Sequence, residues 1–362
     1  MTWDKWGWAA VGAATGGLAL YVIQVKKYNS PKAPSQSIDA SGQKMENELE
    51  KTLAEQCEHI RALLKKHSPV LVPGMDPSLH YLAPHVPKVT WTALGDLVTQ
   101  CEKTSSGSID GAHWISLRLD GSGFSRTVKM MRKKGILEKD GFSEVFASCM
   151  QSSLRALMEH FQGYLGYTQS DEMIVFIAPT NIVRGERQPH LRNGRVTKLT
   201  SLAASFVTAH FIMQLAKKCT ENQVGLEDLS HILPHFDCRV GNYASWDEAQ
   251  ALLLWRAYDC SVNGVSDAVY HTPGSGQKIQ SLGRQEKVAW LWEKGLLPLP
   301  KHQAYGTVLV RVKRMVEGHN PKLNTTVKTL RGVIEQVSGP VLELVRTDSL
   351  IPASDELQHE PA

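Results

Sequence analysis

The sequence predicts an α+β protein with a ferredoxin-like βαββαβ core. Short apolar stretches of strand character and two longer stretches of helical periodicity follow one another in the order strand, helix, strand, strand, helix, strand. An apolar fraction of 42% over 362 residues provides enough material for a large core. The 40 basic residues barely exceed the 36 acidic ones, so net charge neither indicates nor excludes a nucleic-acid partner.

Residues 1–28 predict a transmembrane anchor. Residues 6–25 carry no charge and are long enough to cross a bilayer as a helix, with tryptophans at one end and Lys26 and Lys27 after the other. A cleaved targeting sequence is the alternative, but the run is long for a secretory signal and lacks the arginines of a mitochondrial presequence. The basic flank predicts that the main domain faces the cytosol or the matrix, and we expect the mitochondrial inner membrane.

Residues 29–90 predict a spacer, an amphipathic stalk helix and a proline-rich linker. Apolar residues recur at steps of three and four in Met45, Leu49, Leu53, Cys57, Ile60 and Leu64. Packing of this helix on its own domain is favoured over a coiled coil with another protein, because the pattern lasts less than four heptads. Prolines at 69, 73, 77, 84 and 87 then indicate irregular structure.

Residues 91–315 predict the main domain. The predicted strands cover 114–119, 163–168, 173–178 and 235–240, and the predicted helices cover 142–161 and 197–217. For residues 316–362 we expect a helix over Leu323–Val345, interrupted at Gly339-Pro340, and a mobile acidic tail. The six cysteines have no zinc-site spacing and are interpreted as reduced thiols.

Two aspartates end up at one edge of this predicted sheet. Asp120 ends the first strand, and Asp171 lies in the turn between the second and third strands. The topology places the first strand beside that hairpin, so the two carboxylates converge. Mg²⁺ prefers a few carboxylates together with waters and substrate phosphates. Asp120-Gly121 alone is only a turn signal, but paired with the Ser170-Asp171-Glu172 turn it predicts a two-metal site.

Five segments in order resemble the motifs of the tRNA-histidine guanylyltransferase superfamily: LRLDGSGFS (117–125), YTQSDE (167–172), RVTKLTSLAASF (195–206), FDCRV (236–240) and WRAYDCSVN (255–263). They look closer to the guanylyltransferase-like branch than to the eukaryotic enzyme. The resemblance implies a polymerase palm fold that adds nucleotides in the 3′–5′ direction to tRNA 5′ ends, using ATP and GTP as substrates. It also implies tRNA as a partner and suggests a homo-tetramer.

The resemblance also assigns site residues by position. Asp120, Gly121 and Asp171 would hold two Mg²⁺ ions, with Asp120, Asp171 and Glu172 as the catalytic set. Arg195 and Lys198 would bind phosphates at a helix N-terminus, where the helix dipole also favours anions. The implied nucleotide contacts are Gly121, Ser122, Gly123, Phe124, Lys139, Ser170, Arg195, Lys198, Ser205 and Asn263.

Two departures from the family pattern qualify the expected activity. The tRNA-histidine enzymes have His-Ile-Asn-Asn where this chain has Ser261-Val262-Asn263-Gly264, and His where it has Ser125. Both favour repair or editing of tRNA 5′ ends over dedicated guanylate addition. The anchor suggests an alternative from another class, a non-catalytic accessory subunit of a mitochondrial inner-membrane complex of respiratory type. A nucleotide cyclase is a third, less favoured, reading.

Overall fold

The structure, a computed structural model, describes residues 51–66, 74–84, 86–102, 107–139, 141–320 and 324–350. The anchor predicted at 6–25 lies outside the described residues. So do the predicted spacer, the N-terminal part of the amphipathic helix and the acidic tail after residue 350.

A six-stranded antiparallel sheet forms the centre of the fold, in the order β6-β1-β3-β2-β7-β8. The β2–β3 hairpin lies beside β1, and β6 pairs with the other edge of β1. The predicted order of strands and helices in the core is therefore confirmed. The strands are β1 (Trp114–Gly121), β2 (Leu165–Gln169), β3 (Glu172–Ile177), β6 (Phe236–Tyr243), β7 (Thr307–Asn320) and β8 (Thr325–Val337), while β4 (Ile182–Val183) and β5 (Glu186–Arg187) form a separate small hairpin.

Most of the helices pack on one or the other face of the sheet. In chain order they are α1 (Leu53–Lys65), α2 (Lys88–Glu102), α3 (Phe124–Lys133), α4 (Glu144–His160), α5 (Val196–Glu221), α6 (Leu226–Ser230), α7 (Trp246–Tyr270), α8 (Gln277–Gln280), α9 (Arg284–Glu293), α10 (Lys301–Ala304) and α11 (Val341–Arg346). Helices α3 to α6 share one apolar core with the first face. Helices α1, α2, α7 and α11 share a second core with the opposite face. Helices α8 to α10 pack instead in a third core with the C-terminal part of α7.

Helix α5 is the one described helix whose length and apolar composition would suffice to cross a membrane. Its buried residues recur every four positions: Leu199, Ala203, Val207, Phe211, Leu215 and Cys219. They lie in the core that includes β1 and β3, so this helix is a core element of the sheet.

Helix α1 packs on the main domain rather than extending from it. Thr52 caps its N-terminus in a reciprocal capping box with Glu55. Its predicted apolar stripe, from Leu53 to Leu64, is buried in the core that also contains α2, α7 and α11. The interpretation that this helix packs on its own domain is confirmed, and a free-standing stalk over the described part of the helix is wrong.

The helix predicted over Leu323–Val345 is also wrong. Residues 325–337 form β8, which pairs with β7 along its whole length from Val308–Val337 to Asn320–Thr325. The segment is rich in threonine and valine, whose branched side chains favour strands. Only the short helix α11 follows, beginning after Pro340. Arg311 fixes β7 to the domain by donating to the carbonyl oxygens of Gly163 at 3.0 Å and Met158 at 2.8 Å.

Candidate active site

The two predicted aspartates meet where β1 ends. Asp120 is the cross-strand partner of Glu172, the first residue of β3. The backbone N–H of Gly121 donates to the carbonyl oxygen of Asp171 at 3.1 Å, which joins the end of β1 to the β2–β3 turn. The topology therefore brings Asp120 and Asp171 together, as the sequence predicted.

The Asp171 carboxyl is buried and lies close to a second carboxylate. Burial raises the pKa of its carboxyl above the ordinary 3.8, and the nearby Asp120 charge raises it further. A hydrogen bond from the Ser170 side chain and the charge of Arg256 act in the opposite direction. The two carboxylates repel each other when both are ionised, and a divalent cation between them would offset that repulsion.

Backbone geometry shapes the turns on both sides of the site. Ser170 adopts a left-handed conformation with φ of 47°, so the turn presents Asp171 directly after it. Gly121 has no room for a side chain, because a Cβ there would lie 2.4 Å from the Phe124 ring. The backbone at 121 is thereby left open towards the site.

Of the nucleotide contacts predicted just after β1, one is a core residue and two are exposed. The Phe124 side chain is 2% exposed and packs with Phe146, Phe211 and Phe236, so it is a core residue. Its implied role as a side-chain contact is corrected. The reason is that Gly123, with φ of 67°, starts α3 and turns Phe124 inward. Ser122 and Gly123 are exposed in the loop between β1 and α3.

The Glu172 side chain takes part in buried ion pairs. Its side chain is 5% exposed and accepts a hydrogen bond from Arg256 Nε at 2.7 Å. Arg118 Nη1 lies 3.8 Å from its other carboxylate oxygen. These contacts agree with a role of Glu172 in supporting the turn, which the family resemblance also implies, and its membership of the catalytic set remains a prediction.

Asn263 and Lys139 lie near the surface. Asn263 is exposed on α7 and donates to Asp259 Oδ2 at 3.1 Å. Lys139 is exposed in the loop between α3 and α4, which Arg132 braces by donating to the carbonyl oxygens of Glu138 and Gly141. Their contacts with a nucleotide remain predictions.

The structure does not bring Arg195 and Lys198 to the carboxylates. Both are exposed at the N-terminus of α5. The backbone of Arg195 forms an isolated antiparallel β-bridge with Ser108, which precedes β1. Farther along α5, Thr208 Oγ1 accepts from the N–H of Phe236, the cross-strand partner of Gly121. Thirteen helical residues separate Arg195 from Thr208, a rise of about 20 Å. These two cations thus lie at the opposite end of the sheet.

Ser205 lies closer to the level of the site but on the exposed side of α5. Its hydroxyl donates to the Leu202 carbonyl oxygen at 3.2 Å within the helix. A contact with a nucleotide in this chain's own site would require the ligand to reach around the helix, so the structure gives this prediction no geometric support.

Asp120 and Asp171 form a two-carboxylate arrangement. Within the described ranges, no three or more His, Cys, Asp or Glu side chains form a cluster suited to a metal. The six cysteines all lie in these ranges and form no disulfide, as predicted. Mg²⁺ commonly binds through one or two carboxylates and completes its shell with waters and phosphates, so the two aspartates suit such an ion.

Sequence reasoning missed Glu102 and Arg118. Arg118 lies in the middle of the buried strand β1, and its guanidinium pairs with Glu102 at the end of α2. The available signal was a single charged residue inside the apolar run Trp114–Leu119, since such a charge needs a buried partner.

The comparisons with known proteins match the part of the chain that contains this site. The family model described as tRNAHis guanylyltransferase matches residues 95–244. An uncharacterized protein of Acanthamoeba polyphaga mimivirus is 26% identical over 243 residues, which cover 63% of this chain and 80% of that protein. The tRNA(His) guanylyltransferase of Debaryomyces hansenii is 25% identical over 170 residues, 44% of this chain and 54% of the yeast protein.

Solved structures of similar proteins match part of the chain. A bacterial tRNA(His) guanylyltransferase-like protein in complex with ATP has 21% sequence identity and a TM-score of 0.46, covering 60% of this chain and 88% of its own. The tRNA(His) guanylyltransferase of Saccharomyces cerevisiae has 21% identity and a TM-score of 0.47, covering 58% and 90%.

The matched region includes the residues that build the carboxylate site. Asp120, Gly121 and Asp171 all fall within residues 95–244, together with strands β1 to β6. Helices α1 and α7 and the β7–β8 hairpin lie wholly outside it. Over residues 95–244 the chain is therefore similar to the tRNA-histidine guanylyltransferase superfamily.

Proposed function

We propose that this protein is a metal-dependent nucleotidyltransferase that adds nucleotides in the 3′–5′ direction to tRNA 5′ ends. One observation carries the proposal: Asp120 and Asp171 lie side by side where β1 meets the β2–β3 turn. The family supports nucleotidyl transfer as the reaction class. The departures at Ser125 and Ser261-Val262 favour repair or editing of 5′ ends over dedicated guanylate addition.

Asp120 and Asp171 would hold two Mg²⁺ ions, with the Gly121 carbonyl as a further oxygen ligand. The ions would neutralise phosphate charge and bring ATP or GTP to the tRNA end. The protein's own contribution is positional. The Gly121 N–H bond to the Asp171 carbonyl fixes one carboxylate relative to the other, and the Ser170 hydroxyl orients the Asp171 side chain.

The first experiment is nucleotide incorporation by the full-length chain in detergent. The reaction contains Mg²⁺, each labelled nucleoside triphosphate in turn and a tRNA lacking its 5′-terminal nucleotide. We expect incorporation that matches the templating base and that disappears in Asp120→Ala and Asp171→Ala. A folded wild-type protein that incorporates none of the four nucleotides would refute the proposal.

A second candidate is an accessory subunit of a membrane complex. The observation favouring it is that α1, α11 and the β7–β8 hairpin add to the fold outside the family-matched residues, together with the anchor predicted at 6–25. The proposed location is the mitochondrial inner membrane, with the main domain in the matrix. Co-purification with a membrane assembly, combined with failure of the incorporation assay, would favour this candidate.

A further inference from the structure

Five charged side chains form a buried ion-pair chain behind the carboxylate end of the sheet. Glu102 of α2 accepts from Arg118 Nε at 2.6 Å and also contacts its Nη2. Arg118 Nη1 lies 3.8 Å from Glu172, which accepts from Arg256 at 2.7 Å. Arg256 Nη2 in turn donates to Asp259 at 3.0 Å.

Three members of this ion-pair chain are almost completely shielded from bulk water, which therefore cannot replace their partners. The side chains of Glu102, Arg118 and Glu172 are 4%, 5% and 5% exposed. The Trp255 ring is close to both guanidinium groups, with its centroid 5.8 Å from that of Arg118 and 4.8 Å from that of Arg256. A buried charge that loses its partner is strongly unfavourable, so each member restricts the position of the next.

Glu172 connects the buried chain to the site. It directly follows Asp171 and is the cross-strand partner of Asp120. Its own carbonyl oxygen accepts from Thr168 Oγ1 at 2.8 Å, which closes the β2–β3 turn from the other side. A shift of the Glu172 side chain is therefore transmitted to the turn that presents Asp171.

We propose that Glu102 is a positioning residue for the Asp120 and Asp171 site. By holding the Arg118 guanidinium it fixes the Glu172 side chain, and through Glu172 it fixes the turn that carries Asp171. Glu102 itself touches neither substrate nor metal. This inference rests on the proposed function, in which the two aspartates hold a divalent cation.

The test measures metal binding directly in the full-length chain. Mn²⁺ replaces Mg²⁺ as the probe and is titrated by electron paramagnetic resonance in the presence of ATP. Asp120→Ala defines the part of the signal that belongs to the site. We expect Glu102→Gln to weaken that binding by about tenfold or more, as loss of groups that orient metal ligands does. Binding within twofold of wild type would overturn the proposal.

A double variant tests the route through Glu172. If Glu102 acts on the site only by way of Glu172, Glu102→Gln combined with Glu172→Gln binds Mn²⁺ no more weakly than Glu172→Gln alone. Additive losses would overturn this route. Glu102→Asp retains the charge on a shorter side chain. It tests the positioning role of Glu102 if circular dichroism shows that Glu102→Gln is unfolded. We then expect Glu102→Asp to weaken binding measurably at unchanged fold.

Arg61→Gln is the matched control. Arg61 is 11% exposed and pairs with the half-exposed Asp247 at 3.0 Å and Asp348 at 2.9 Å, so its loss disrupts another ion-pair cluster. Asp247 precedes Arg256 by nine residues of α7, about 14 Å. We expect lower stability with unchanged Mn²⁺ affinity. An equal loss of affinity in Arg61→Gln and Glu102→Gln would reduce Glu102 to a structural role.

The same measurements separate failure of this inference from failure of the proposed function. Wild-type protein that binds Mn²⁺ through Asp120 but incorporates no nucleotide refutes the proposed function, while the titration of Glu102→Gln still decides the positioning role. Wild-type protein without any binding that depends on Asp120 refutes both.

Discussion

The two faces of the central sheet differ in the polarity of their buried side chains. The face covered by α4 and α5 is largely apolar, with Leu117 and Leu119 of β1 and Val175 of β3 buried against the helices. The opposite face also contains apolar residues, but Arg118 and Glu172 lie among them and are paired within the interior. The charged stretch of that face leads directly to Asp120 and Asp171.

This difference separates two contributions of the sheet, one to stability and one to the geometry of the site. Apolar contacts stabilise a fold without fixing side chains through directional bonds, whereas hydrogen-bonded ion pairs fix orientation at a cost in desolvation. Apolar packing on both faces therefore accounts for most of the stability. The charged stretch of the face opposite α4 and α5 accounts for the geometry of the site, and the following predictions test this division.

The largest expected effect is on catalysis. Asp120→Ala should lower nucleotide incorporation by about 10³-fold or more, because metal ligands supply several kcal/mol of transition-state stabilisation. Single-turnover incorporation measures it. Asp228→Ala, which removes an exposed carboxylate paired with Lys134 at 2.8 Å, is the control and should retain wild-type activity. Equal losses in both variants would contradict the assigned site.

The next effect concerns the apolar face. Phe211 is fully buried and contacts the rings of Phe124, Phe146 and Phe236, so Phe211→Ala should lower the free energy of unfolding by about 3–5 kcal/mol. Met213, two residues later, is 67% exposed, and Met213→Ala should change the free energy of unfolding by about 0.5 kcal/mol or less. Urea unfolding measures both. Comparable losses would show that the outer side of α5 is also covered.

A smaller effect is expected at the strand end. Gly121→Ala places a methyl group 2.4 Å from the Phe124 ring, which must move within a packed cluster. We expect a loss of about 1–3 kcal/mol in the free energy of unfolding together with reduced incorporation. Gly123→Ala tests conformation alone, since no atom lies within 4 Å of its added Cβ although its φ is 67°. Greater loss of activity in Gly123→Ala would contradict the assigned role of Gly121.

The smallest expected effect is a gain. The pKa of Asp171 is raised by burial and by Asp120, so the folded state binds its proton more tightly than the unfolded state. Stability from this group is present at low pH and is lost as the pH rises through the folded-state pKa. In metal-free buffer at pH 7, Asp171→Asn should therefore raise Tm by about 2 °C. At pH 3 the gain should disappear, and a gain independent of pH would contradict this explanation.

Much of the core could be predicted from sequence because its periodicities are unambiguous. The four core strands and the two long helices follow from apolar runs bounded by turn residues. Asp120 and Asp171 followed from topology, since β1 had to lie beside the β2–β3 hairpin. The β7–β8 hairpin was missed because its charged and apolar residues also fit a helical period, and only pairing with β7 decides in favour of a strand.

The rest of the site depended on contacts that no local pattern contains. Glu102 and Arg118 are sixteen residues apart, and their pairing requires α2 to lie across β1. Arg195 and Lys198 have the spacing of a phosphate site, but the direction of α5 carries them away from the carboxylates. Sequence spacing identifies which side chains share a helix face, and only the packed structure shows what that face meets.

The register of the central sheet also has a consequence for folding. The β7–β8 hairpin closes across the few residues between Asn320 and Thr325, so it can form locally and early. Asp120 faces Asp237, more than a hundred residues later, and this pairing of β1 with β6 closes a far longer loop. The carboxylate site needs β1 to pair with the β2–β3 hairpin, so divalent-metal binding during refolding would report that pairing rather than the local closure of the β7–β8 hairpin.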